Sequence, residues 1–301
     1  MAIDAGAQLD GHGYSAAPVT HAPPWDGLVA WDLLFNNLTT GLFLVAATAD
    51  LLAPTVFSSV LKAAYPLALV LLLTDLACLV LDLGDPLRFH HMLRVFKPTS
   101  PMSLGTWSLT LYSLPLTVAA ALSVLPHGWP VLESVRKAAV ILAILPALGS
   151  ALYKGVLLGT NSQPGWRDAR WLGAYLTNSA VMLGCALMLL LASLLGQERG
   201  TGILRPSLVA LLVLNLFPLG FLVRNLLPAL QRVYTPGRLG RLAVLCIGAG
   251  TLVPVVLLSA GASLPLLVVT VLAMLIGSFA ARFAIIRLPH SLTGAAPAVS
   301  G

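Results

Sequence analysis

Charge, cysteine and membrane-depth histidine are all scarce in this chain. Of its 301 residues 9% are charged and 58% are hydrophobic, whereas ordinary soluble domains carry about 25% charged residues. A soluble core cannot hide so much apolar surface, so a soluble globular enzyme is excluded and lipid is the expected solvent. The three cysteines, Cys78, Cys185 and Cys246, fall in three different apolar runs and form no Cys-x-x-Cys pair. Metal-cluster and zinc ligation are therefore not indicated, and the thiols read as small buried apolar groups. All six histidines, His12, His21, His90, His91, His127 and His290, lie outside the apolar runs. A haem held inside a helical bundle takes histidines at membrane depth, so none is expected here. Residues 1–24 contain no Lys, no Arg and no apolar core, and this polar tail does not read as a signal peptide.

What is abundant is apolar sequence in runs of about 20 residues, the length that crosses the hydrocarbon layer as a helix. Eight such runs occur: Leu28–Leu52, Ala63–Leu83, Leu104–Leu125, Ala138–Leu158, Trp171–Leu195, Leu208–Leu227, Leu242–Ala260 and Leu264–Ile286. Irregular backbone cannot face lipid unsatisfied, so each is predicted to be helical and the fold to be an all-α integral membrane protein. An even number of spans puts both termini on one face, here called face A, together with the connections after spans two, four and six. Twelve Lys and Arg residues fall on face A and five on face B, which predicts a cytoplasmic face A. The acidic tail (Asp4, Asp10, Asp26) points mildly the other way.

Acidic residues are also missing from most of the second half: after Asp168 the only one is Glu198. Asp32, Asp50, Asp75 and Asp82 all sit in or at the ends of the first two spans. Carboxylates at membrane depth are costly and mark functional cavities, so spans one to four read as the working half and the rest as scaffold. Asp32 is expected roughly 6 Å below face A, and Tyr153 roughly 8 Å below the same face, at 1.5 Å per residue. Asn36 follows Asp32 by one turn, on the same helix face. A carboxylate, a phenol and a carboxamide at one level suit a quinone headgroup, whose carbonyls need donors and whose reduction consumes two protons. Asp32 also fits a helix-start residue in the headgroup region, and Tyr153 an interfacial-belt aromatic.

Above them lies the longest polar connection, Asp82 to Ser103, with Arg88, Arg94, Lys97, the adjacent His90 and His91, and three prolines. It is longer than a helical hairpin needs, and long ordered loops are commonly functional; the competing reading is a solvated loop lying on lipid headgroups. The histidines are candidate quinone contacts and proton donors. Arg88, Arg94, Lys97 and Lys154 are candidate docking cations. Asp75, roughly 12 Å below face A, and Asp82 at the end of its span are candidate proton-relay residues. A lone carboxylate as deep as Asp75 must be protonated or paired, with Thr74 or Arg94 as the expected help; an interhelical structural bond is the alternative.

Two segments carry a resemblance. LDLGDPLRFHHMLRVFKPTSPMSLGTW, from Leu81 to Trp107, resembles the loop after the second span in the NrfD/PsrC family of polysulfide-reductase-like membrane subunits. YKGVLLGTNSQPGW, from Tyr153 to Trp166, is similar to the same family's end of the fourth span. The motifs cover residues 25 to 170, and the Pro-Thr-Ser-Pro-Met-Ser run is an unusual string. The resemblance implies two four-helix bundles, residues 25–166 with the quinone site and residues 167–288, between polar tails at 1–24 and 289–301. It implies a prokaryotic cytoplasmic membrane and no redox centre in the chain. Electrons would pass between menaquinone or ubiquinone and a ferredoxin-like iron–sulfur subunit, and onward to or from a molybdopterin catalytic subunit. The family's quinone tyrosine maps onto Tyr153. Its first-span polar contact, a histidine in some members, falls at Asp32, a departure from the pattern. Members of the polysulfide type face the periplasm, opposite to the charge count.

The rival class is a secondary transporter or ion channel. Transporters show broken helices at matching positions in two halves and polar groups at the midplane; here the polar groups cluster near one face of one half. A bundle that also relays protons through Asp75 and Asp50 is compatible with the anchor reading.

Overall fold

The computed structural model describes residues 27–83, 85–125 and 129–294; the N-terminal tail with its acidic residues, His127 and the last seven residues lie outside them. Among the described residues eight helices are long and apolar enough to cross a membrane. They are α1 Gly27–Leu52, α2 Pro54–Leu81, α3 Pro101–Val124, α4 Pro130–Gly159, α5 Leu172–Leu194, α6 Glu198–Val233, α7 Pro236–Ala260 and α8 Leu264–Gly294. Among the described residues there is no strand. The chain is an all-α, multi-pass membrane protein.

Most helices outrun the apolar stretches that announce them. Four open on proline, at Pro54, Pro101, Pro130 and Pro236, where the missing N–H would have no helical partner anyway. In α3 the Ser100 hydroxyl also caps the Ser103 amide, as N-cap serines do. Helix α2 therefore starts nine residues before the expected Ala63, and α6 ten before Leu208. Helix α8 runs on past Ile286, so His290, expected in a tail, sits on its last turns. The connection from Asp82 to Ser103 is likewise partly helical, with a 3-10 segment over Pro86–Leu93.

Helix α1 is central and packs on α2, α4, α5 and α8. It approaches α5 closely: a Cβ on Gly41 would overlap the Ala180 carbonyl, and one on Gly184 would overlap the backbone of Gly41. Small residues let membrane helices approach this closely, where dispersion and not water expulsion must hold them. Outward-facing positions are apolar, with Leu145 77% and Phe217 64% exposed, as lipid contact requires. Trp166, between α4 and α5, is fully buried and donates its indole N–H to the Ile285 carbonyl at 2.8 Å, which pins the α4–α5 turn to α8.

Candidate functional site

The first half of the chain buries a compact charged cluster. Asp32 and Asn36 lie one turn apart on α1, Ser150 and Lys154 one turn apart on α4, and Asp75 comes from α2. The Lys154 Nζ donates to Asp32 Oδ1 at 2.7 Å and to Asp75 Oδ1 at 3.0 Å. Asn36 Nδ2 donates to the other Asp75 oxygen and to Ser150 Oγ, both at 3.0 Å. All five side chains are buried. One cation shared by two carboxylates, with an amide on the second Asp75 oxygen, is how ions are tolerated out of water. The Asn36 Oδ1 has no partner.

A cavity of about 100 Å³ adjoins the cluster on its face A side. Asp32, Asp82, Tyr153 and Lys154 line it with Met92, Met102 and apolar residues of α1, α2 and α4. Tyr153 packs so closely on α3 that a Cβ on Gly105 would overlap its ring. The expected common depth of Asp32 and Tyr153 thus corresponds to one shared cavity. Of the Asp82–Ser103 connection, Asp82, Leu83, Met92 and Met102 are among the lining residues, with Met92 on the 3-10 segment. A larger cleft of about 880 Å³ between α3, α4, α5 and α6 has no ionisable residue on its walls, so it offers no acid–base chemistry.

Other expected residues fall elsewhere. His90 and His91 are exposed, stacked edge to face at 4.4 Å, and do not line the cavity. Arg88, Arg94 and Lys97 are exposed on face A, with Arg88 paired to Asp85 at 3.0 Å. Lys154 requires correction as a docking cation: only 5% exposed and held between two carboxylates, it cannot present its charge to a partner. The help expected for Asp75 from Arg94 or Thr74 comes instead from Lys154 and Asn36, because Thr74 bonds its own helix at the Val70 carbonyl. A lysine inside the apolar run of α4 is the signal in the sequence that points to a buried ion pair.

A second charged cluster, with Asp50 and Arg136 buried and Glu133 partly exposed, lies toward face B. Arg136 Nη2 donates to Asp50 Oδ1 at 3.0 Å, and its Nε donates to Glu133 Oε2 at 2.9 Å. The Tyr65 hydroxyl donates to Asp50 at 2.8 Å. Asp32 and Asp50 share α1 but are roughly 27 Å apart along its axis. Between them Thr39, on α1, donates to the Ala68 carbonyl of α2 at 2.7 Å, and Tyr112, on α3, donates to the Thr39 carbonyl at 3.1 Å.

A family model described as "Polysulphide reductase, NrfD" matches residues 17–288. No curated protein matches the chain. A match over nearly the whole length, on a fold of eight membrane-spanning helices, agrees with the motifs at Leu81–Trp107 and Tyr153–Trp166. The chain belongs to the NrfD polysulphide reductase family.

Proposed function

We propose that this protein is the quinone-reactive membrane anchor of an oxidoreductase complex. It exchanges electrons between a quinone pool and a ferredoxin-like iron–sulfur subunit docked on face A, and through that with a molybdopterin catalytic subunit. The carrying observation is the buried Asp32–Lys154–Asp75 group beside a Tyr153-lined cavity under the Asp82–Ser103 roof. A cavity of about 100 Å³ is smaller than the 300–1,000 Å³ typical of drug-sized ligand sites. It has room for a ring and not for a whole isoprenoid quinone, so the tail extends into lipid. Tyr153 donates a hydrogen bond toward a ring carbonyl, while the three Lys154 N–H groups stay on the Asp32 and Asp75 carboxylates and the Asp32 backbone carbonyl. Asp32 and Asp75 exchange protons through the ammonium, and Asp82 stands on the cavity wall toward face A. Two electrons from outside the chain and two protons from face A then balance each quinone reduced.

Docking is assigned to Arg88, Arg94 and Lys97, exposed around the same roof, so that electrons travel a short distance between partner and cavity. Setting aside the buried Lys154 and Arg282 on face A and Arg136 on face B leaves ten cations against four. That asymmetry supports a cytoplasmic face A. The division into two four-helix bundles, residues 25–166 and 167–288, is part of the same reading, with Gly41 and Gly184 at their seam. The test is a tagged chain purified from its native membrane: co-isolation of iron–sulfur and molybdopterin subunits with quinol-dependent turnover is expected. Isolation without them, alongside substrate uptake by proteoliposomes, would favour a transporter.

One observation supports a second, compatible activity. Charged clusters lie near both faces of the first half, with Thr39 and Tyr112 between them, an arrangement suited to proton relay. Acidification of reconstituted vesicles during turnover, lost in Asp50→Asn, is the expected sign of it. Turnover without proton movement would remove this reading.

A further inference from the structure

The second half of the chain repeats the geometry of the site without its carboxylates. On α4, Ser150 and Lys154 are four residues apart and reach Asp32 and Asn36, four apart on α1. On α8, Ser278 and Arg282 are four residues apart and reach Tyr175 and Ser179, four apart on α5. The fourth and eighth spans thus contribute the cation, and the first and fifth receive it. The cation survives in both halves, but a phenol and a hydroxyl stand on α5 in place of Asp32 and Asn36.

Arg282 is 0% exposed. Its Nη1 donates to the Ser278 carbonyl at 2.9 Å and to the Ser278 hydroxyl, and its Nη2 donates to Ser179 Oγ at 3.1 Å. The guanidinium carbon lies 5.9 Å from the centre of the Tyr175 ring. The Nε has no partner, and among the described residues no carboxylate pairs with Arg282. Both serine oxygens accept from the guanidinium and lie 3.5 Å from each other, so one hydroxyl proton is shared between them and the other is left to donate. The surroundings are therefore rich in donors and carry an uncompensated positive charge, at a depth where an unpaired ion costs several kcal/mol.

A second feature marks the same place. Over Val244–Leu252 helix α7 is π-helical and packs on α8 where Gly250 meets Gly277, the residue before Ser278. Such segments recur at functional sites, since the wider turn leaves backbone groups for other partners.

We infer that Arg282, Ser179, Ser278 and Tyr175 bind a small monovalent inorganic anion, which supplies the counter-charge that Asp32 and Asp75 supply to Lys154. The site is distinct from the quinone cavity and independent of the function proposed above. The full chain in nanodiscs of zwitterionic lipid, prepared free of halide, tests it by thermal unfolding in sodium chloride against sodium gluconate at equal ionic strength. Chloride should raise Tm saturably, by roughly 5 °C at a hundredfold excess over Kd. In Ser179→Asp the carboxylate is built in, so Tm in gluconate should rise and the chloride effect should vanish. Arg282→Gln, which removes the cation, should also be insensitive to chloride. The lysine cluster serves as control: Asp32→Asn should leave the chloride effect intact. Equal Tm in chloride and gluconate for the unaltered protein overturns the proposal, and so does a chloride effect that persists in Arg282→Gln. Should Ser179→Asp not fold, the unaltered protein and Arg282→Gln decide the matter alone.

Discussion

Replacing Lys154 by methionine removes one charge from between two buried carboxylates and leaves the apolar length of the side chain in place. At separations of 2.7 and 3.0 Å, each ion pair amounts to about 6 kcal/mol of gross Coulomb attraction at an effective dielectric constant near 20. Desolvation offsets much of this in the intact cluster. Removing one partner of a buried pair nevertheless costs about 3–5 kcal/mol, because the surviving charges lose their compensation without regaining water. Here two carboxylates are stranded, with Asn36 still committed to Asp75. Lys154→Met should therefore lower stability by about 3–5 kcal/mol, read by unfolding in mixed detergent micelles of rising dodecyl sulfate fraction. Adding Asp32→Asn and Asp75→Asn in that background should restore most of the loss, since neutral amides need no counter-charge. A Lys154→Met protein as stable as the original would refute the reasoning. So would a triple variant no better than the single one, because the loss would then not be electrostatic.

Three further outcomes follow from the same geometry. Tyr153→Phe removes one hydroxyl from the cavity wall and should impair quinol turnover with subunit stoichiometry unchanged; normal turnover at native stoichiometry would remove Tyr153 as a ligand. Gly105→Val should push the Tyr153 ring toward the cavity and weaken quinone-analogue binding, measured by displacement titration, with the helical content seen by circular dichroism preserved. Arg94→Glu should weaken assembly with the acidic face of the iron–sulfur partner, more at low salt than at high. A photoreactive residue at the same position should capture that subunit, and capture of lipid alone would leave the loop without a docking role.

The sequence made the spans legible because the bilayer sets one length and forbids irregular backbone, so composition alone finds them. It did not reveal where the helices end, since α2 begins at Pro54 and α6 at Glu198, ahead of the apolar runs that hydropathy reports. That Asp32 and Tyr153 line one cavity was legible from rise per residue, because both are counted from the face A end of their helices. Lateral neighbours were not: which cation reaches Asp75 depends on how α2 and α4 rotate against α1. A depth count cannot separate the exposed Arg94 from the buried Lys154. The exposed His90 and His91 illustrate the converse, since a 3-10 segment turns Met92 and not the imidazoles toward the cavity. Arg282 escaped for want of a carboxylate partner in the sequence, and only packing shows it buried beside Ser179.

Quinone chemistry is assigned to the small charged cavity and not to the larger apolar cleft. An azido-quinone carrying a short tail, photolysed on the native complex and mapped by peptide mass spectrometry, separates the two most directly. Labelling is expected at Met92, Met102 and Tyr153, abolished by excess unlabelled quinone. Competed labelling confined to Leu111, Leu145 and Thr177 in the α3–α6 cleft, with none around Tyr153, would contradict it.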